Sequence, residues 1–146
     1  MSRLGLGLFD NAVKDANTWL NELMEILGWE DKERAYRLLR AVLQTVRDNL
    51  VPNEAADLGD QLPTLVRGIY YESYVPGRTP AKLRKRDAFI EAVARRFAPD
   101  RMETPEREIG AVLALLARHV SKGEIEDVAR SFTEDVRALF PAYAPV

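Results

Sequence analysis

Laid on itself with Leu20 set against Ile90, this sequence matches from one half to the other without a gap. Leu20, Leu23 and Leu27 fall on Ile90, Val93 and Phe97, Ala41-Val42-Leu43 falls on Ala111-Val112-Leu113, and Ile69-Tyr70 falls on Leu139-Phe140. Between Trp19 and Glu72, nine positions carry the same residue as their counterparts. The places where helices must break agree in the two halves as well. The expected architecture is therefore all-α: an internally duplicated helical bundle of two pseudo-equivalent units, about four helices in each.

Local signals place those helices. Asp10 can cap a first helix that reaches Leu27 and stops at Gly28, with Val13, Ala16, Leu20, Leu23 and Leu27 at helical spacing. A second helix runs from Asp31 to Asn49 on a stripe of Ala35, Leu39, Val42 and Val46. Pro52 and Pro63 can each open a short helix, because proline is tolerated at a first helical position. The pattern then restarts over Asp87 to Phe97. Thr104-Pro105 opens the next helix, Ser121 to Glu124 has the form of a capping box, and Phe132, Val136, Leu139 and Phe140 carry the last. Shared polar positions suggest matched ion pairs, with Arg67 reaching Glu54 or Asp57 and Arg137 reaching Glu124 or Asp127.

Charge is distributed unevenly. Residues 1–72 hold 8 Lys/Arg against 12 Asp/Glu and residues 87–146 hold 8 against 11, whereas residues 73–86 hold 5 against none. A basic linker thus joins two mildly acidic halves, and the net charge of −2 predicts no general attraction to nucleic acid. The absence of cysteine excludes disulfides and thiolate chemistry. No apolar run approaches the roughly 20 residues that span a bilayer. The expected setting is cytoplasmic, with no membrane association.

Reaction chemistry is scarce. His119 is the single histidine, so no His-rich metal site can be assembled, and no serine stands in a nucleophile elbow. Carboxylates lie mostly on polar helix faces. Arg37, Arg40 and Arg47 share one stripe of the second helix, which reads as a solvated helix back or as a phosphate-docking stripe. No cofactor and no metal are expected. The linker differs from the rest: Arg78, Lys82, Arg84, Lys85 and Arg86 follow Tyr71, Glu72 and Tyr74, and cations beside aromatics suit single-stranded nucleic acid or an anionic ligand.

The segments RAYRLLRAVLQTVRDNL and EAADLGDQLPTLVRGIYYESY resemble the bacterial and archaeal family catalogued as domain of unknown function 2267. The resemblance runs from about Asn17 to Phe140, and its motif positions here are Leu62, Pro63, Arg67, Gly68, Tyr70, Tyr71 and Glu72. It implies an all-helical, duplicated fold and carries over no activity and no catalytic residue.

The expectations are one compact domain over residues 1–146, with a first repeat at 10–72, the basic linker at 73–86 and a second repeat at 87–140. The leading functional expectation is a non-enzymatic helical interaction or scaffold module that meets a protein partner or itself. One alternative is a binding module for an anionic ligand or nucleic acid. Another is an enzyme with a carboxylate/tyrosine site between the repeats. Candidate binding residues are Tyr71, Glu72, Tyr74, Arg78, Lys82, Arg84, Lys85 and Arg86.

Overall fold

Gly28 ends the first helix as its lack of a Cβ allows: it adopts φ 70°, in the left-handed region, and donates its N–H to the Met24 carbonyl. The computed structural model describes residues 6–141, and every regular element among them is helical. In chain order these are α1 (Gly7–Leu27), α2 (Lys32–Asp48), α3 (Pro52–Asp60), α4 (Thr64–Tyr71), a single 3-10 turn at Pro76–Arg78, α5 (Arg86–Phe97), α6 (Pro105–His119), α7 (Lys122–Arg130) and α8 (Glu134–Arg137).

Most caps follow the sequence signals. The Asp31 side chain accepts from the Arg34 N–H at 3.0 Å, and Ser121 accepts from the Glu124 N–H at 3.1 Å. Pro52 and Pro105 each open a helix. Three details differ. α1 begins at Gly7, ahead of Asp10, with Leu6 as a cap that offers no side-chain bond. Pro63 is the cap of α4 and not its first residue. The box at Ser121 closes on one side only, because the Ser121 N–H donates to Gln61 Oε1 at 2.7 Å and Glu124 Oε2 is left buried without a hydrogen-bond partner.

The two halves interlock. α1 packs against α6 of the second half, and α5 packs against α2 of the first, while α2 meets α6 and α3 meets α7 between them. Trp19, Leu23 and Leu27 of α1 and Phe89, Val93 and Phe97 of α5 belong to one continuous core with the inner faces of α2 and α6. Each fully buried Leu or Phe side chain contributes roughly 1.5–3 kcal/mol of transfer free energy. Much of that packing crosses between the halves.

α2 is surrounded. It touches α1, α4, α5 and α6, and every residue from 41 to 47 is buried. This corrects one reading of the arginine stripe: Arg47, at 1% exposure, is among the most enclosed side chains of the chain. Arg37 instead pairs with Asp100 across the halves and with Glu33 at 3.9 Å, and Arg40 lies over the Tyr36 ring.

The matched ion pairs at Arg67 and Arg137 are absent among the described residues. Arg67 Nε donates to the Gly59 carbonyl at 2.8 Å and Nη2 to the Leu62 carbonyl at 2.7 Å. Arg137 repeats this at the corresponding position of the second half, with Nε to Ala129 at 3.0 Å and Nη2 to Phe132 at 2.8 Å. The physical reason lies in the helix ends. The last-turn carbonyls of α3 and α7 carry the negative end of the helix dipole and keep a free lone pair beside their one backbone bond. A planar guanidinium reaches one of them and the carbonyl just past the helix end at once.

Candidate functional site

Four hydrogen bonds hold the segment between α4 and α5 as an ordered strap. Ala81 N–H donates to the Asp48 carbonyl at 2.7 Å and Leu83 N–H to Asn49 Oδ1 at 2.9 Å, which pins the strap to the end of α2. The Thr133 hydroxyl donates to the Arg84 carbonyl at 2.6 Å and Arg86 N–H donates to Asp135, which pins it to the start of α8. Lys82 sits between the first two of these bonds with φ 54°. A non-glycine residue in that left-handed conformation costs roughly 1–2 kcal/mol, so the flanking bonds hold it there.

The strap is tied down by its backbone, which leaves its charges free. Arg78, Lys82, Arg84, Lys85 and Arg86 are all exposed, and none forms an ion pair among the described residues. The tyrosines that precede them face inward. Arg47 Nη1 donates to the Tyr70 and Glu72 carbonyls, each at 2.8 Å, and its guanidinium lies 5.0 Å from the Tyr74 ring. Tyr71 packs over Gly59, where an added Cβ would approach the ring to 2.8 Å. Burial, with the nearby Asp60 carboxylate, pushes the Tyr71 hydroxyl up from its ordinary value. The structure therefore brings Tyr74 against Arg47 with Tyr71 beside it, and among the described residues no strap cation lies over either ring. Glu72 is exposed at the end of α4.

Under the strap lies a cleft of about 400 Å³. Asn49 and Val51 form one wall, Ser131 to Thr133 form the other, and Pro80, Lys82, Leu83 and Arg84 cover it. Among the described residues, no acidic side chain lines it. The adjoining groove past Arg84, Lys85 and Arg86 differs, because Glu134 and Asp135 line it too.

A second cleft, of about 320 Å³, opens where the same chain positions recur in the other half. His119 stands where Asn49 stands in the first cleft, and Gln61, Leu62 and Pro63 stand where Ser131, Phe132 and Thr133 stand. Its cover is α1 in place of the strap, through Asp15, Thr18 and Trp19. The Trp19 and His119 rings stack at 4.6 Å, and Glu22 accepts from Arg118 Nη1 at 2.9 Å and meets His119 Nε2 at 2.9 Å. Burial works to raise the Glu22 carboxyl, but the bonds and charges of Arg118 and His119 outweigh it and hold the group below the usual carboxylate range.

A profile of the family described as "Uncharacterized conserved protein (DUF2267)" matches residues 16–139, which takes in the strap and its cleft, every lining residue of the α1 cleft but Asp15, and seven whole helices. The chain belongs to the DUF2267 family. None of the curated proteins compared with it matches. In this DUF2267 chain the first turns of α1, which carry exposed Leu8, Phe9 and Val13, precede the matched span.

One further cluster occurs in the DUF2267 span, at the crossing of α3 and α7. Glu124 is 7% exposed, and burial, followed by the charges of Asp57, Glu54 and Asp127, raises its carboxyl above the ordinary value. Among the described residues, no group of three or more His, Asp or Glu side chains is placed to hold a metal ion. Sequence reasoning missed the clefts because each is built from separate segments. The cue that could have found them is the chain's one long proline-and-cation interruption opposite an unbroken α1.

Proposed function

We propose that the chain is a non-enzymatic helical binding module, derived by duplication of a four-helix unit, that holds a small phosphate- or carboxylate-bearing ligand beneath its strap. One observation carries the reading: among the described residues, Lys82 and Arg84 line a cleft between the halves that contains no acid, and neither cation is spent on an ion pair. Charge-assisted hydrogen bonds from two such cations are about twice as strong as neutral ones. Val51, Leu83 and Phe132 give the cleft apolar lining on its walls and cover, so the ligand is an anion with a short apolar body. The duplication is supported by the coincident spans Pro52–Asp60 and Lys122–Arg130 and by the repeated bonds of Arg67 and Arg137.

A nucleic acid strand fits less well. Strand binders track the backbone along a continuous positive groove with bases stacked on open aromatic faces. Here Glu134 and Asp135 interrupt the groove, and Tyr71 and Tyr74 are turned into the body.

Titration calorimetry with phenyl phosphate at low ionic strength tests the proposal. Binding should be saturable, weaken with added salt, and fall about tenfold or more in a Lys82→Gly/Arg84→Gln variant. Glycine at position 82 tolerates the left-handed backbone, so that variant loses charge without gaining strain. A short oligothymidylate should bind no more tightly than phenyl phosphate. Absence of binding at low salt, or equal binding by the variant, would contradict the reading.

A further inference from the structure

The two clefts occupy corresponding positions of the chain and differ in charge. Under the strap the unpaired groups are cations. Under α1 the charged group left unpaired at the rim is the Asp15 carboxylate, which makes no hydrogen bond or ion pair with the described residues. The nearby cation, Arg118, is occupied by Glu22 at 2.9 Å.

The histidine adds a directed acceptor. The Glu22 carboxyl, held below its ordinary range, accepts from Arg118 at one oxygen and meets His119 Nε2 at the other. A carboxylate cannot donate, so in the neutral form of the imidazole the proton is on Nε2 and Nδ1 is left as a lone pair. Nδ1 has no hydrogen-bond partner among the described residues. Stacking on Trp19 at 4.6 Å and 25° fixes the plane of the ring, so the direction of that lone pair is set in advance. Gln61 on the opposite wall is held by Ser121, with its oxygen accepting from the Ser121 N–H at 2.7 Å and its amide donating to the hydroxyl at 3.2 Å.

We propose that the α1 cleft is a second binding site, built for a small protonated amine. Asp15 supplies the countercharge, His119 Nδ1 accepts one N–H, and Leu62 and Pro63 take the apolar part of the ligand. A neutral alcohol of the same length can use Nδ1 but gains nothing from Asp15, and an anion is repelled by it. The site stands independently of the strap cleft: one cleft between the halves holds an anion and the other an amine, at matching positions.

The test is an NMR titration with n-butylamine, 1-butanol and butyrate in parallel, on the full chain near neutral pH. The Trp19 indole N–H resonance is the reporter, and Trp29, which lies elsewhere with Arg34 4.7 Å over its ring, is the internal reference. Butylamine should shift Trp19 saturably and leave Trp29 unmoved, with 1-butanol about tenfold weaker and butyrate without effect, since a charge-assisted bond is worth about tenfold in affinity. Asp15→Asn, an exposed and structurally mild change, should weaken butylamine about tenfold. His119→Asn should weaken it as well, while Lys82→Gly/Arg84→Gln should bind it normally. Equal response to butylamine and 1-butanol, an unsaturable shift, or wild-type affinity in Asp15→Asn would overturn the proposal.

Discussion

Asp48 and Arg118 occupy corresponding positions of the two halves, and each forms an ion pair with the first helix of the opposite half. Asp48 on α2 pairs with Arg96 of α5, and Arg118 on α6 pairs with Glu22 of α1. The same seam is closed twice with its charges reversed. That reversal reaches into the clefts, because Arg118 and His119 are drawn onto Glu22 on one side while the strap cations on the other side have no such acid.

The reciprocal seams predict a single cooperative unfolding transition. α1 packs against α6 of the second half as well as against α2 and α4 of its own, and α2 packs against α5 and α6, so removing residues 87–146 strands part of the first half's apolar surface. Calorimetry of the intact chain should give a calorimetric enthalpy equal to the van't Hoff value. Two resolved transitions would show that the halves fold separately.

Arg47 predicts a large cost for a helical arginine. Its side chain is buried, donates to Tyr70 and Glu72, and pairs with Asp48 at 2.9 Å. Arg47→Ala leaves two carbonyls and part of a carboxylate without partners, a loss of roughly 3–5 kcal/mol. Urea melts should show that loss, and the Tyr74 ring resonances should shift with it. A change below about 1 kcal/mol would mean that water replaces the guanidinium.

Helix ends and fold class were legible in the sequence because they rest on local chemistry. Gly28, Asp31, Pro52 and Pro105 act within one turn of themselves, and the structure uses all four as their residue types dictate. Arg47 was not legible. Helical periodicity assumes one wet side, and from Ala41 to Arg47 helix α2 has none. Arg67 and Arg137 misled for a related reason, since the sequence displays carboxylates but not which carbonyls a helix end leaves open. The clefts were hidden because nothing local relates Asn49 to Thr133 or Gln61 to His119.

Glu124 predicts a stability that rises toward acid. Burial, then Asp57, Glu54 and Asp127, raises its folded-state carboxyl above the unfolded value. Its contribution is therefore fully present below the ordinary carboxyl range and is lost as pH rises through the raised folded value. Glu124→Gln removes that loss and offers N–H donors to the facing acids, so it should stabilise the chain by roughly 1 kcal/mol at neutral pH. The gain should shrink as pH falls through the carboxyl range. A constant gain across that range would place the effect outside titration.

α1 predicts a sharp contrast along one stripe. Leu23 is fully buried, whereas Phe9 on the same face is 61% exposed. Leu23→Ala should cost about 2–5 kcal/mol and Phe9→Ala less than about 0.5 kcal/mol in denaturant melts. A large effect at Phe9 would reveal that the first turns of α1 are covered in solution.

Binding of an anion beneath the strap is tested most directly by amide chemical-shift mapping with phenyl phosphate at low ionic strength. Saturable shifts confined to Asn49, Val51, Lys82 to Arg84 and Ser131 to Thr133, suppressed by added salt, are the predicted result. Shifts that never saturate, or that gather around Arg37 and Arg40 on α2 and leave the strap cleft unmoved, would contradict it.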